Sequence, residues 1–357
     1  MKRKPLTYAA IAALSLAGAY LGATAIVAHR THSALEQLQH MGSLPTLSGV
    51  GSFHDVQINE GFWSSSASAD MDVSTMQGVQ SIPVQATIDQ WPSVSGPARV
   101  HMRLLVPDFG PVHDLFSSAH VNYVADGDLV LSWARNADLH LNVPALSATL
   151  SHGVLLKWAG AKVEVVQSGK DALIKAGLGS LSVNSPGKID ASVNAINLSY
   201  SLTTGPHGHG LFDLDVHGAQ ARQGGHVFVL DDATAHCAMS WDTRADAARR
   251  FVSVDQANVA LNMSQPAAVF KARADAALPL TPELTSEAAI SPLALLPAVM
   301  KTADAHLQVQ ADDGALRLIP ALAQQAAAFG ASKRGSLWTV QAEMQGGHVT
   351  VDGKSLS

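Results

Sequence analysis

From about residue 45 onward the chain alternates apolar and polar residues with a period of two, and that period limits what it can fold into. In ADLHLNVPALSATL, Leu139, Leu141 and Val143 alternate with His140 and Asn142. AKVEVVQSG sets Val163 and Val165 against Lys162 and Glu164, and DAHLQVQAD sets Leu307 and Val309 against His306, Gln308 and Gln310. Successive strand residues point to opposite faces, so the pattern specifies half-buried antiparallel strands with one wet face. SVNAINLSYSL keeps the pattern through a one-residue slip, from Val193 to Ile196 and on to Leu198. WTVQAEMQGGHVTVDG reads as a strand, a Gly-Gly turn and a second strand. ADGD, NSPGK, RQGG and ADDG read as turns between strands, which makes sequential hairpins or a meander the simplest arrangement. The expected fold is mainly β, a large antiparallel sheet, curved or sandwich-like, with a few helices near its C-terminal end.

Two stretches interrupt the alternation. Residues 284–305 are Ala/Leu-rich and carry Pro292 and Pro297, which predicts one or two short helices broken near the prolines. Residues 318–335 predict a helix, with Pro320 in its first turn and Gly330, Lys333 and Arg334 at its end.

The N-terminus has a different texture. Lys2, Arg3 and Lys4 are followed by no formal charge until Arg30, and Leu6 to Ala28 make 23 apolar or small residues. A helix needs about 20 to span a bilayer. Basic residues on the leading side keep that side cytoplasmic. The expected organisation is a cytoplasmic tip (1–5), a transmembrane signal-anchor (6–28), a helical linker (29–45) and a periplasmic β-rich domain (46–357). The linker THSALEQLQHM places Ala34, Leu35, Leu38 and Met41 on one helical face. The rival reading is a cleaved signal peptide ending in Ala23–Ala25 or Ile26–Ala28, but the apolar stretch is longer than the 7–15 residues of a signal core. The expected location is the bacterial inner membrane, single-pass, with the bulk in the periplasm.

Hydrophobic residues make up 47% of the chain and charged residues 15%, which excludes a disordered polymer. The net charge is −6 and no basic run lies beyond the first four residues, which argues against nucleic acid. The one cysteine, Cys237, excludes an intrachain disulfide and a Cys-based zinc cluster.

The chain contains no nucleophile elbow. QSGKDAL lacks the leading glycine and the trailing Ser or Thr of a phosphate loop, and AGLGSLSV has Ser182 where a dinucleotide fingerprint needs its third glycine. No cofactor is implied. Asp126 with Asp128, Asp231 with Asp232, and Asp312 with Asp313 are read as turn formers. The densest chemistry is GPHGHGLFDLDVHG, residues 205–218. On a strand, His207, His209, Asp213, Asp215 and His217 share a face, a donor set that suits a zinc-like ion. The plainer reading is a solvent-facing row that follows a Gly-rich turn. Trp63, Trp133, Trp158 and Trp338 are either core packing or the lining of an apolar ligand groove.

INEGFWSSSASADMDV, with Glu60, Gly61, Phe62, Trp63 and Ser64, resembles the early signature of the YdgA-like family of bacterial inner-membrane-anchored proteins. GGHVTVDGKSL resembles that family's closing strand and terminal turn, through Asp352, Gly353 and Lys354, with Asp352 in place of the usual Asn. Where the family carries a His-Gly-Pro element this chain has DQWPSVSGP. The resemblance implies an anchor, a periplasmic β body and no established catalytic residues. The expected function is therefore a non-enzymatic envelope protein that binds lipid, polymer or another envelope protein. The alternative is a metal-assisted hydrolase using the residues at 207–217.

Overall fold

The computed structural model describes residues 44–45, 51–59, 61, 64–75, 78–89, 96, 98–134, 136–150, 153–187, 189–223, 225–242, 251–279, 302–318, 324 and 331–356. They are mainly β. The strands are β1 (Leu44–Pro45), β2 (Gly51–Asn59), β3 (Ser64–Thr75), β4 (Gly78–Asp89), β5 (Ala98–Leu105), β6 (Tyr123–Leu131), β7 (Ala137–Val143), β8 (Leu146–Thr149), β9 (Leu155–Trp158), β10 (Ala161–Ser168), β11 (Asp171–Leu178) and β12 (Leu181–Ser185). There follow β13 (Ile189–Val193), β14 (Ala195–Thr203), β15 (His207–Gln223), β16 (His226–Asp242), β17 (Phe251–Gln265), β18 (Ala267–Pro279), β19 (Asp304–Asp312), β20 (Ser332–Arg334), β21 (Leu337–Gln345), β22 (His348–Val351) and β23 (Lys354–Leu356).

The chain divides into two compact units, residues 1–150 with 162–169, and residues 151–161 with 170–357. The sequence, uniform in texture across this division, predicted one β-rich body.

In the first unit β1 to β7 form an antiparallel meander, each strand paired with the next, and β10 joins β7. Ile82, Ile88, Ala98 and Ala125 are buried. A helix that the alternation did not predict, Pro111–Ser118, lies between β5 and β6, with Pro111 in its first turn and Gly110 (φ 96°) at its cap. Phe116 of this helix is buried, as are Leu146 and Ala148 of β8, against which the helix packs. ADGD is not a turn but the middle of β6. There Gly127 opposes Met102 and Leu141, and a Cβ on it would lie 1.9 Å from the His140 carbonyl oxygen. Glycine is kept by close backbone approach rather than by a reversal of the chain.

In the second unit β12 and β13 form a tight hairpin at the NSPGK turn, and their continuations β11 and β14 pair behind them. β9 flanks β12, β15 pairs with both β13 and β14, and an antiparallel series runs β15–β16–β17–β18–β19–β21–β22–β23, with β20 also on β21. Asp231 and Asp232 lie inside β16 rather than in a turn. Asp312 ends β19, and its carboxylate accepts from the Ala315 N–H at 2.8 Å, capping a short helix, Asp313–Leu318.

The strands are interrupted together near one level. On β14/β13 the apolar face steps from Ile196 to Val193 across Asn194; on β15 it steps from Val216 to Ala219 across Gly218 (φ 59°); on β16 it steps from Ala233 to Leu230. On β11/β12 the matching step is Leu178 to Leu181. Each three-residue step keeps the same face apolar on both sides of the bend, and between β16 and β17 it coincides with a bulge-like shift of register at Leu230.

Of the predicted helix at 318–335, the end is a strand. Ser332–Arg334 pairs with β21 through a turn at Gly335 (φ 63°), so Lys333 and Arg334 close no helix. Lys333 is drawn there by the Asp313 carboxylate at 2.9 Å and by the Trp338 ring at 5.2 Å. Of 284–305, residues 284–301 lie outside the described residues, and from Asp304 the chain is already strand. The signal-anchor and the linker lie outside them too, apart from Leu44–Pro45, the strand β1. Among the described residues no helix is long and apolar enough to cross a membrane.

Candidate functional site: an apolar sheet face

In the second unit the residues aligned across eight strands sort by face. One row reads Ala176, Leu198, Leu214, Ala235, Val259, Ala272, Val309 and Val340. The adjacent row, on the other face, reads Lys175, Ser199, Asp213, His236, Asn258, Arg273, Gln308 and Gln341. The next row on the apolar face is Ile174, Tyr200, Phe212, Cys237, Ala257, Ala274, Leu307 and Ala342. No charged residue stands in either apolar row. Alternation in the sequence has become two chemically distinct surfaces, because register is kept through these three rows on all eight strands.

Among the described residues the apolar surface is not closed by packing. Val259 keeps 40% of its surface exposed, Leu307 43% and Phe228 39%. Among the described residues, full burial on this face is confined to small side chains and Val351. Ala268, Ala311 and Ala315 form a small cluster with Met263, Phe270 and Leu316 against it, where the helix Asp313–Leu318 touches β18 and β19. Beyond the row of interruptions the surface deepens into a concavity of about 340 Å³, lined by Leu181, Val183, Ala191, Phe228, Leu230 and Met263 among others. The only polar residues on its wall are Ser192 and Gln220. An open apolar surface of this extent is uncommon unless something binds it.

Glycines let aromatic side chains lie flat along the face. Gly208 stands opposite Trp241, and a Cβ on Gly208 would meet the indole ring at 2.2 Å. The Trp241 Nε1–H donates to the Gly205 carbonyl at 2.9 Å. The Gly-rich part of GPHGHG is therefore strand from His207 onward, not the turn expected. Trp158, opposite Leu181, and Trp338, opposite Ala311, also stand on the apolar face. Trp133 lies in the first unit and is 56% exposed; Trp63 lies outside the described residues. Trp241 alternates with Asp242 and Ser240, which marks its face in the sequence.

The five residues at 207–217 share the polar face but do not form one donor set. A strand rises about 3.3 Å per residue, so the row is spread over roughly 30 Å. Most of these side chains are engaged by different neighbours. His207 Nδ1 lies 2.9 Å from Asp242, His209 Nε2 3.3 Å from Thr203 Oγ1, Asp213 2.6 Å from His236 Nδ1, and His217 Nδ1 2.8 Å from Asp232. Asp215 faces Asn197 and Thr234. Cys237, on the apolar face between Phe212 and Ala257, points away from His236.

Charges at the margins are held by specific partners. The His306 imidazole is pushed above its ordinary value by the hydrogen-bonded Asp275, with Glu343 and Asp304 adding to the field. The Asp313 carboxyl is held below its ordinary range, first by the Trp338 indole N–H at 2.6 Å and then by Lys333. The terminal DGK is a two-residue reversal between β22 and β23 with Asp352 (φ 47°) and Gly353 (φ 77°). The Asp352 carboxylate accepts from the Gln341 N–H at 3.0 Å, and the Asp352 N–H donates to the Gln341 carbonyl. At the other motif, the Gly61 N–H donates to Ser65 Oγ at 3.3 Å, and Ser65 is 1% exposed. Ser64 is exposed; Glu60 and Phe62 lie outside the described residues.

No family model, curated protein or solved structure matches the chain.

Proposed function

We propose that the chain is a non-enzymatic envelope protein, held at the inner membrane by residues 6–28 with its bulk in the periplasm, that binds the acyl chain of a lipid on the apolar face of its second unit. The observation that carries this reading is the charge-free, half-exposed band that crosses eight strands and deepens into the 340 Å³ concavity. The band offers almost no hydrogen-bonding group, because its backbone is consumed by the ladders. A polymer or peptide brings polar groups that would be buried there unsatisfied, at a cost of about 1–3 kcal/mol each. An acyl chain brings none and gains about 0.8 kcal/mol for each CH₂ it buries. The resemblance of both chain ends to YdgA-like proteins supports the anchored, envelope part of the reading.

The test is a titration with a fluorescent fatty acid such as cis-parinaric acid. Leu307→Glu and Val259→Glu place a carboxylate in the band at positions already partly exposed, so the fold tolerates them. Saturable binding that both substitutions abolish is the expected result. Binding unchanged in both variants, or none at all, overturns the reading.

A further inference from the structure

We infer that the first unit carries a divalent transition-metal site formed by Asp138, His140 and Glu164. Asp138 and His140 stand two apart on β7 and share its polar face. Glu164 comes from β10, the strand that joins β7. One donor atom from each of the three lies within 4.8 Å of the other two.

Proximity alone would describe an ordinary ion pair; the alignment does not. His101, His217, His236 and His306 each meet an aspartate through Nδ1 in a hydrogen bond of 2.6–3.0 Å. His140 differs. It presents Nε2, 3.0 Å from Asp138 Oδ1, yet Oδ1 is shielded from solvent and has no aligned hydrogen-bond donor among the described residues. Two ligand atoms this close without a hydrogen bond between them are free to share a cation. Metal–ligand bonds of about 2.0–2.2 Å put neighbouring ligand atoms roughly 3 Å apart, which is the separation of His140 Nε2 from Asp138 Oδ1, with a Glu164 oxygen within 4.8 Å of both.

The donor set then selects the ion. Two carboxylates supply the charge that a divalent cation neutralises, and an imidazole favours zinc, copper, iron or nickel over calcium and magnesium. With the Asp138 and His140 side chains 46% and 53% exposed, water or an anionic oxygen can complete the shell. A second group, His54, Asp55 and Asp70, is a weaker candidate. Its Asp55 side chain is 75% exposed, and His54 approaches Asp55 and Asp72 only to 3.6 and 3.7 Å.

The experiment is equilibrium dialysis of the chelator-stripped, untagged full chain against micromolar zinc, followed by metal analysis. Wild type, His140→Ala, Glu164→Gln and His54→Ala are compared after circular dichroism shows each is folded. The expected result is one zinc per chain, bound roughly tenfold or more weakly in His140→Ala and Glu164→Gln and unchanged in His54→Ala, since loss even of outer-shell partners costs about 10–100-fold. No stoichiometric zinc, equal zinc in all four proteins, or loss in His54→Ala alone overturns the assignment.

Discussion

At the scale of single residues, charged side chains on the polar surfaces are tied to one another across strands, and for His306 and Asp128 the titration follows from those ties. His306 is raised by Asp275, so its stabilising charge is fully present below the unfolded value of about 6.5 and is lost as pH rises through the higher folded value. Asp275→Asn is expected to lower the His306 pKa in an NMR titration and to flatten the stability change over that window. Asp128 behaves in the opposite sense. It is held low chiefly by Arg99, which donates to it at 2.7 Å, and also by His101. Its contribution is present above about pH 3.9 and disappears as pH falls through its depressed folded value. Asp128→Asn should leave urea midpoints less sensitive to acid below pH 4 than those of the wild type.

At the scale of elements, the row of interruptions decides whether the apolar face continues or flips. Gly218 adopts φ 59°, and a Cβ there would lie 2.3 Å from the Asn194 side-chain nitrogen. Gly218→Ala is expected to cost about 1–3 kcal/mol, read as a shift in the urea midpoint. An unchanged midpoint would show that the interruption relaxes freely. This element was partly legible in the sequence: the slip between Val193 and Ile196 is the break between β13 and β14 at Asn194. What was not legible depends on partners far along the chain. ADGD has turn composition, but Gly127 is fixed by the β7 backbone passing over it. Lys333 and Arg334 suit a helix end, but Asp313 and Trp338 hold that segment as a strand. The helix Pro111–Ser118 was missed because eight residues are too few for a period of 3.6 to stand out against the alternation. The donors of Asp138, His140 and Glu164 were visible only as polar positions on two separate strands, since β7–β10 adjacency is a tertiary fact.

At the scale of the whole molecule, each unit resolves the same composition differently. In the first, the helix Pro111–Ser118 packs against β8, where Leu146, Ala148 and Phe116 are buried. In the second, the described residues leave large apolar side chains half-exposed over a band that no charge interrupts. A face of that kind costs solubility unless a ligand occupies it. Lipid that binds the folded state alone should also raise the thermal midpoint in proportion to the logarithm of its concentration, and Leu307→Glu should remove that dependence. The most direct measurement is mass spectrometry of the full-length chain extracted gently from membranes, alongside Leu307→Glu. The account predicts wild-type protein carrying phospholipid that the substitution removes. Wild-type protein free of lipid, or a variant that carries as much lipid as wild type, would contradict it.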